Sequence, residues 1–159
     1  MLSRLIFGFT FLNLIALSSF SQVSIIPEPV MMNQKEGEFK FGNSITVGGD
    51  QSNSSIKKIT EWLKEKLTVT GLPVTSTGAN QKSDIYFSLN GKAEPAIGKE
   101  GYQLTVEADK GIVILANESA GLFYGAQTFL QLLPAAIERK IYVGFLIGYC
   151  ASHRQTGYS

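Results

Sequence analysis

Few residues in this chain have types and spacings that could do chemistry. Glu61 and Glu65 stand one helical turn apart, a pairing that could serve acid and base roles. They sit among Lys57, Lys58 and Lys64, where carboxylates are expected to be ordinary surface charge on a lysine-rich helix. Glu36 and Glu38 flank Gly37 in what reads as a loop. Cys150 and His153 have Cys-x-x-His spacing, but a structural zinc site needs four ligands, and the chain has one cysteine and one histidine. An incidental thiol is expected there rather than a metal ligand or a Cys–His nucleophile pair. Tyr86, Phe87, Tyr102, Phe123 and Tyr124 could form an aromatic platform for stacking; at strand and helix spacing they are expected in a core or an interface. Asn53-Ser54-Ser55 and Asn117-Glu118-Ser119 match the glycosylation acceptor pattern, which matters only in a eukaryotic secretory pathway. Glycine-rich phosphate loops and serine-hydrolase elbows are absent. No catalytic, metal-binding or cofactor-binding residue is expected.

The whole chain frames these residues. Arg4, the apolar run from Leu5 to Leu17, and small residues at Ser19 and Ser21 have the layout of a secretory signal peptide. Residues 1–21 are expected to be that leader, and the product to be exported to the periplasm or secreted. The run is short for a membrane span of about 20 apolar residues. Without Arg4 the remaining basic residues match the 13 acidic ones in number. Lys57-Lys58 and Arg139-Lys140 are too short to be basic patches, so no nucleic-acid partner is expected. A single cysteine allows no internal disulfide. The exported domain must be held by its core.

Local patterns predict the elements. Ile25 to Val30 is extended, with two prolines fixing φ. Phe39 and Phe41, then Ile45-Thr46-Val47, predict a short hairpin or two edge strands. Asp50 or Ser52 caps a helix from about Ser54 to Thr68, whose Ile56, Ile59, Leu63 and Leu67 share one face. Gly71 closes it. Strands are predicted at Leu72–Thr75, Asp84–Leu89 and Tyr102–Glu107, the last with one buried and one wet face. Ile112–Ala116 is continuously apolar, which predicts a strand covered on both faces. The turn 108–111 joins these last two strands in a hairpin. A final helix spans Ser119 to Leu133, capped by Asn117 or Ser119 and stopped at Pro134. Gly121 and Gly125 lie on one face. Each glycine costs on the order of 1 kcal/mol in a helix interior, so close approach to the strands beneath is expected. Residues 119–137 carry no charge, and such a helix is expected to be buried on most sides. Gln127, Gln131, the glycines and Pro134 disfavour a transmembrane reading.

Order, spacing and residue choice together resemble the N-terminal domain of family 20 glycoside hydrolases, the β-N-acetylhexosaminidases. Ile26-Pro27-Glu28-Pro29 looks like the domain's opening segment, Asp84-Ile85-Tyr86-Phe87 like one of its strands, and Glu100-Gly101-Tyr102-Gln103-Leu104 like a second. Gly121-Leu122-Phe123-Tyr124-Gly125-Ala126-Gln127-Thr128-Phe129-Leu130-Gln131-Leu132-Leu133 is the most specific part. The resemblance spans about residues 25–138. It implies an α/β (α+β sandwich) fold with a mostly antiparallel sheet and two helices packed on one face. It also implies that Gly121, Leu122, Phe123, Tyr124, Gly125, Phe129, Leu130 and Leu133 form a helix packed between that sheet and a catalytic (β/α)8 barrel.

The family's hydrolysis of terminal β-linked N-acetylhexosamines uses the substrate's own acetamido oxygen as nucleophile, with a contiguous Asp-Glu pair on the barrel. Asp50, Asp84 and Asp109 are followed here by Gln, Ile and Lys, so the resemblance supplies no catalytic residue. The expectation is a non-catalytic N-terminal support domain over residues 22–138, inactive alone, whose partner is the barrel. Residues 139–159 match nothing in the family's linker and read as a truncated or frameshifted linker, or as an extra strand. Self-association through the exposed apolar helix is the expected consequence of a missing barrel. The alternative is a stand-alone carbohydrate-binding or interaction module; a small enzyme with an unrecognised site is the third reading.

Overall fold

The computed structural model describes residues 31–35, 38–79, 81–133, 146–147 and 150–155. Residues 1–21, expected to be a leader, the proline segment 25–30 and most of the tail lie outside the described residues. The elements are β1 (Met31–Lys35), β2 (Phe39–Lys40), β3 (Ile45–Gly49), α1 (Ser54–Leu67), β4 (Val74–Thr77), β5 (Ile85–Leu89), β6 (Tyr102–Glu107), β7 (Gly111–Ala116), α2 (Ser119–Leu132), β8 (Leu146–Ile147) and β9 (Cys150–Gln155).

Five of the strands, in the order β6-β7-β5-β3-β4, form the sheet that carries both helices. Three of its four ladders are parallel: β7 with β5, β5 with β3, and β3 with β4. The mostly antiparallel sheet expected from the resemblance is therefore corrected to a mixed one. The physical reason lies in the connections. Parallel neighbours need a crossover, and α1 supplies one between β3 and β4. β5 reaches its parallel neighbour β7 only after the chain has run out along β6 and back. The one antiparallel pair within the five is the β6–β7 hairpin, registered from Tyr102 opposite Ala116 to Glu107 opposite Gly111. Gly111 has φ 98°, a conformation that favours glycine. On its outer edge β6 also pairs with β9, which in turn pairs with β1.

β3 is a second correction. Neither a hairpin arm nor an edge, it lies between β5 and β4, with Ile45 and Val47 fully buried. β2 pairs instead with β8. Asp84 ties β3 to the start of β5. Its Oδ2 accepts from the Thr46 amide at 2.7 Å and the Thr46 hydroxyl at 2.6 Å, and its own amide donates to Thr46 Oγ1 at 2.8 Å.

α1 begins at Ser54 as expected, but neither expected residue caps it. Asn53 is the cap, its Oδ1 accepting from the amides of Ser55 and Ile56 at 3.0 and 3.2 Å. Asp50 bonds Ser52 instead, through its hydroxyl and its amide, and the Ser52 hydroxyl chiefly holds the Asp50 carboxyl below its usual range. Ile56, Ile59, Leu63 and Leu67 face the sheet, and Gly71 closes the following 3-10 turn with φ 74°.

Both helices contribute to a single core with the sheet's inner side chains, among them Phe87, Leu104 and Ile114. Burying each such side chain is worth about 1.5–3 kcal/mol. β7 is not covered on both faces as expected. Ile112, Ile114 and Ala116 are buried, whereas Val113 between them is 38 % exposed. An all-apolar strand here has one covered face, because both helices pack on the same side.

Candidate functional site

α2 is positioned by what its glycines allow. A Cβ at Gly121 would collide with the Gly101 carbonyl oxygen and approach Ala116 Cβ to 2.9 Å. At Gly125 it would stand 2.5 Å from Ile114 Cγ2 and 3.2 Å from the Tyr102 ring. The helix therefore rests directly on β6 and β7, and the conformational cost of two glycines is offset by that contact. Leu122, Ala126, Phe129 and Leu132 complete the buried face. Thr128 is buried with them and shares a hydrogen bond between its Oγ1 and the Tyr102 hydroxyl. Burial pushes the Tyr102 phenol up, partly opposed by that bond.

Neither expected cap residue caps α2. Glu118 occupies the cap position without a side-chain bond. Asn117 is engaged elsewhere: its Oδ1 accepts from Asn90 Nδ2 at 2.7 Å and the Glu94 amide at 2.8 Å, while its Nδ2 donates to the carbonyls of Glu94 at 2.9 Å and Gly98 at 2.6 Å. It fixes the loop between β5 and β6. A glycan on that nitrogen would break the loop, which removes the second acceptor pattern from consideration.

The other side of α2 is the candidate site. Tyr124 is 43 % exposed, and Phe123, Leu130 and Leu133 are half-buried. Trp62 of α1 extends the surface: its ring lies 4.9 Å from that of Phe123 at 56°, and Phe123 lies 6.3 Å from Tyr124. An aromatic row thus crosses both helices. Its α2 portion has no charge, and on α1 Lys66 Nζ stands 6.0 Å over the Trp62 ring. Beside Trp62 an open hollow of about 580 Å³ is lined by Glu61, Lys64, Glu65, Thr68 and Val74 as well as Trp62 itself.

The residues singled out for chemistry do not converge. Glu61 accepts from Lys64 Nζ and from Ser76 Oγ, each at 3.1 Å, and the Lys64 bond chiefly holds its carboxyl below the usual range. It is committed as surface charge, and Glu65 is exposed. Glu36 lies outside the described residues, Glu38 is exposed, and Cys150 and His153 both fall in β9. The five aromatic residues divide: Phe87 and Tyr102 are core, Tyr86 donates to the Ala79 carbonyl at 2.9 Å, and only Phe123 and Tyr124 reach the outer side of α2. Such a surface can associate. Trp62 was not anticipated from the sequence. Its signal was a bulky aromatic residue beside the buried stripe, on a face otherwise occupied by lysine and glutamate.

Comparison with known proteins gives this geometry a context. Residues 22–145 match the model of glycosyl hydrolase family 20, domain 2. A β-hexosaminidase of Porphyromonas gingivalis is 29 % identical over 86 % of this chain, which spans only 19 % of that protein. The N-acetyl-β-hexosaminidase of Streptomyces plicatus superposes with a TM-score of 0.68 at 28 % identity, covering 83 % of this chain and 26 % of its own. The exo-β-N-acetylglucosaminidase of Vibrio harveyi shares the fold, with a TM-score of 0.63 at 22 % identity over 82 % of this chain and 18 % of its own. The chain spans about a fifth to a quarter of the length of these relatives.

Proposed function

The chain belongs to glycosyl hydrolase family 20, whose domain 2 it carries over residues 22–145, and from that premise we propose that it is the non-catalytic support domain of an exported β-N-acetylhexosaminidase. The aromatic row Trp62–Phe123–Tyr124 is the observation that carries this reading. It is an outward, apolar, α2-centred surface on a domain that already has a complete core of its own. Apolar surface of this kind marks an association site. The partner is the catalytic (β/α)8 barrel, which buries the row and is braced by it.

Hydrolysis of terminal β-linked N-acetylhexosamines, with the acetamido oxygen of the substrate as nucleophile, belongs in this reading to the barrel. Support for export is the layout of residues 1–21, and the self-association expected of the chain alone follows from the same exposed row. A stand-alone carbohydrate-binding module has less to rest on. A stacking platform needs open aromatic faces that lie level; Phe87 and Tyr102 are wholly buried, and in the outward row the Trp62 and Phe123 rings are tilted by 56° and the Phe123 and Tyr124 rings by 54°.

Two measurements test the proposal. The purified chain is expected to release no nitrophenol from nitrophenyl N-acetylglucosaminide; release by the chain alone overturns the non-catalytic reading. The chain is also expected to bind the catalytic portion of a family 20 enzyme supplied in trans, and to lose that binding with Tyr124→Lys. Binding unchanged by Tyr124→Lys would place the interface elsewhere.

A further inference from the structure

The outer edge of β6 raises a separate question: what fills it. β6 has anchors other than that edge. Tyr102, Leu104 and Val106 are buried beneath α2 and the core, the inner edge is registered with β7 over the full strand, and the Tyr102 hydroxyl is bonded to Thr128. Its outer edge nevertheless presents backbone donors and acceptors that need a partner. In this chain the partner is β9, with Tyr102 opposite Gln155, Gln103 opposite Arg154, Leu104 opposite His153 and Thr105 opposite Ser152.

β9 stands apart from the helix-bearing strands β6 and β7 in two ways. Its sequence, Cys-Ala-Ser-His-Arg-Gln, has neither the alternation of β6 nor the apolar run of β7, so its residue types specify neither a face nor a register. It also lies beyond the residues that match the family's domain, which end at 145. Among the described residues within that match, only β7 pairs with β6, and the segment that closes the outer edge of β6 lies past it. Among the described residues, β1 reaches the sheet only through this segment, with Asn33 opposite Ser152 and Met32 opposite His153.

We infer that the outer edge of β6 is a strand-acceptor site, and that residues 150–155 are its removable occupant rather than part of the folding core. Recognition is by main-chain hydrogen bonds, the mode in which an extended peptide adds to a sheet edge. The ligand class is an extended antiparallel segment lying C-terminal to the domain, with little demand on its side chains.

Ser152 is the place to test this, because it stands opposite both Asn33 and Thr105. Proline has no amide to donate and is not accepted inside a sheet. In the full chain carrying Ser152→Pro, the β6 amides that point away from β7 are expected to exchange about tenfold faster or more, while those of β5 and β7 keep their protection. A synthetic peptide of residues 148–157 with Cys150→Ser, to exclude thiol exchange, is expected to restore the protection. The same peptide with Ser152→Pro is expected not to. Unchanged exchange in the full-chain variant, or failure of the first peptide to restore protection, overturns the proposal. Global unfolding of the Ser152→Pro chain overturns it too, since β9 would then be an integral strand.

Discussion

The Tyr102 hydroxyl and the Thr128 hydroxyl share a buried hydrogen bond between β6 and α2. It is the polar fastening in a contact otherwise made by glycines against backbone and by apolar side chains. Removing either partner alone leaves a buried hydroxyl unsatisfied, at a cost of about 1–3 kcal/mol. Tyr102→Phe and Thr128→Val are each expected to destabilise by that amount, and the double variant by less than the sum. Denaturant unfolding of the four proteins checks this; additive losses would show the two groups are not coupled.

The same bond has a consequence at alkaline pH. Burial raises the Tyr102 phenol above its ordinary value of 10.0. The folded chain then holds its proton where the unfolded chain loses it, so this contribution is fully present below about pH 10 and is lost as pH rises through the folded value. Stability is expected to fall above pH 10, and the fall to be shallower in Tyr102→Phe. Parallel slopes for the two proteins would count against it.

Gly121 and Gly125 should differ although both lie on the same face of α2. A methyl at Gly121 meets the Gly101 carbonyl, which is backbone, and a methyl at Gly125 meets the Ile114 methyl, which is side chain. Overpacking costs typically about 1–3 kcal/mol. Gly121→Ala is expected at or above the top of that range, and Gly125→Ala below it, because Ile114 can turn while the carbonyl cannot. Thermal unfolding of the two variants decides the order.

Asp84 is expected to matter for stability and not for chemistry. Asp84→Ala removes the acceptor for both the Thr46 amide and the Thr46 hydroxyl. Hydrogen bonds to a charged group are worth about 1.5–3 kcal/mol. A loss of that size is expected, read by denaturant unfolding, with restoration in part by Asp84→Asn.

The outer row predicts the opposite behaviour. Tyr124 is exposed, so Tyr124→Lys is expected to change the stability of the isolated chain by less than about 0.5 kcal/mol. It is expected to reduce hydrophobic-dye binding and any concentration-dependent association. A large loss of stability would show that Tyr124 is part of the core.

Much of the molecule was legible before any coordinates. The faces of α1 and of β6 followed from residue periodicity, since burial on one side of a regular element repeats with its geometry. The Gly121–Gly125 pair announced a close approach, because glycine in a helix needs a reason. The caps were misjudged where side chains had competing partners: Asn117 could serve α2 or the loop at Glu94 and Gly98, and local spacing does not weigh one against the other. The place of β3, read as a hairpin arm or an edge, was misjudged although a strand–helix–strand pattern was visible around α1, and that pattern is itself a signal for parallel pairing inside a sheet.

The chain's own residues determined its element types, its uncharged final helix, its family membership and the absence of an Asp-Glu pair, because each of these is a property of neighbours along the sequence. Only the tertiary structure decided that β3 lies inside the sheet, that Trp62 joins Phe123 and Tyr124 in one row, and that β9 closes the edge of β6. Those are pairings between segments far apart in the chain, selected by which combination buries the most apolar surface while satisfying the backbone, and no single window of sequence contains both partners.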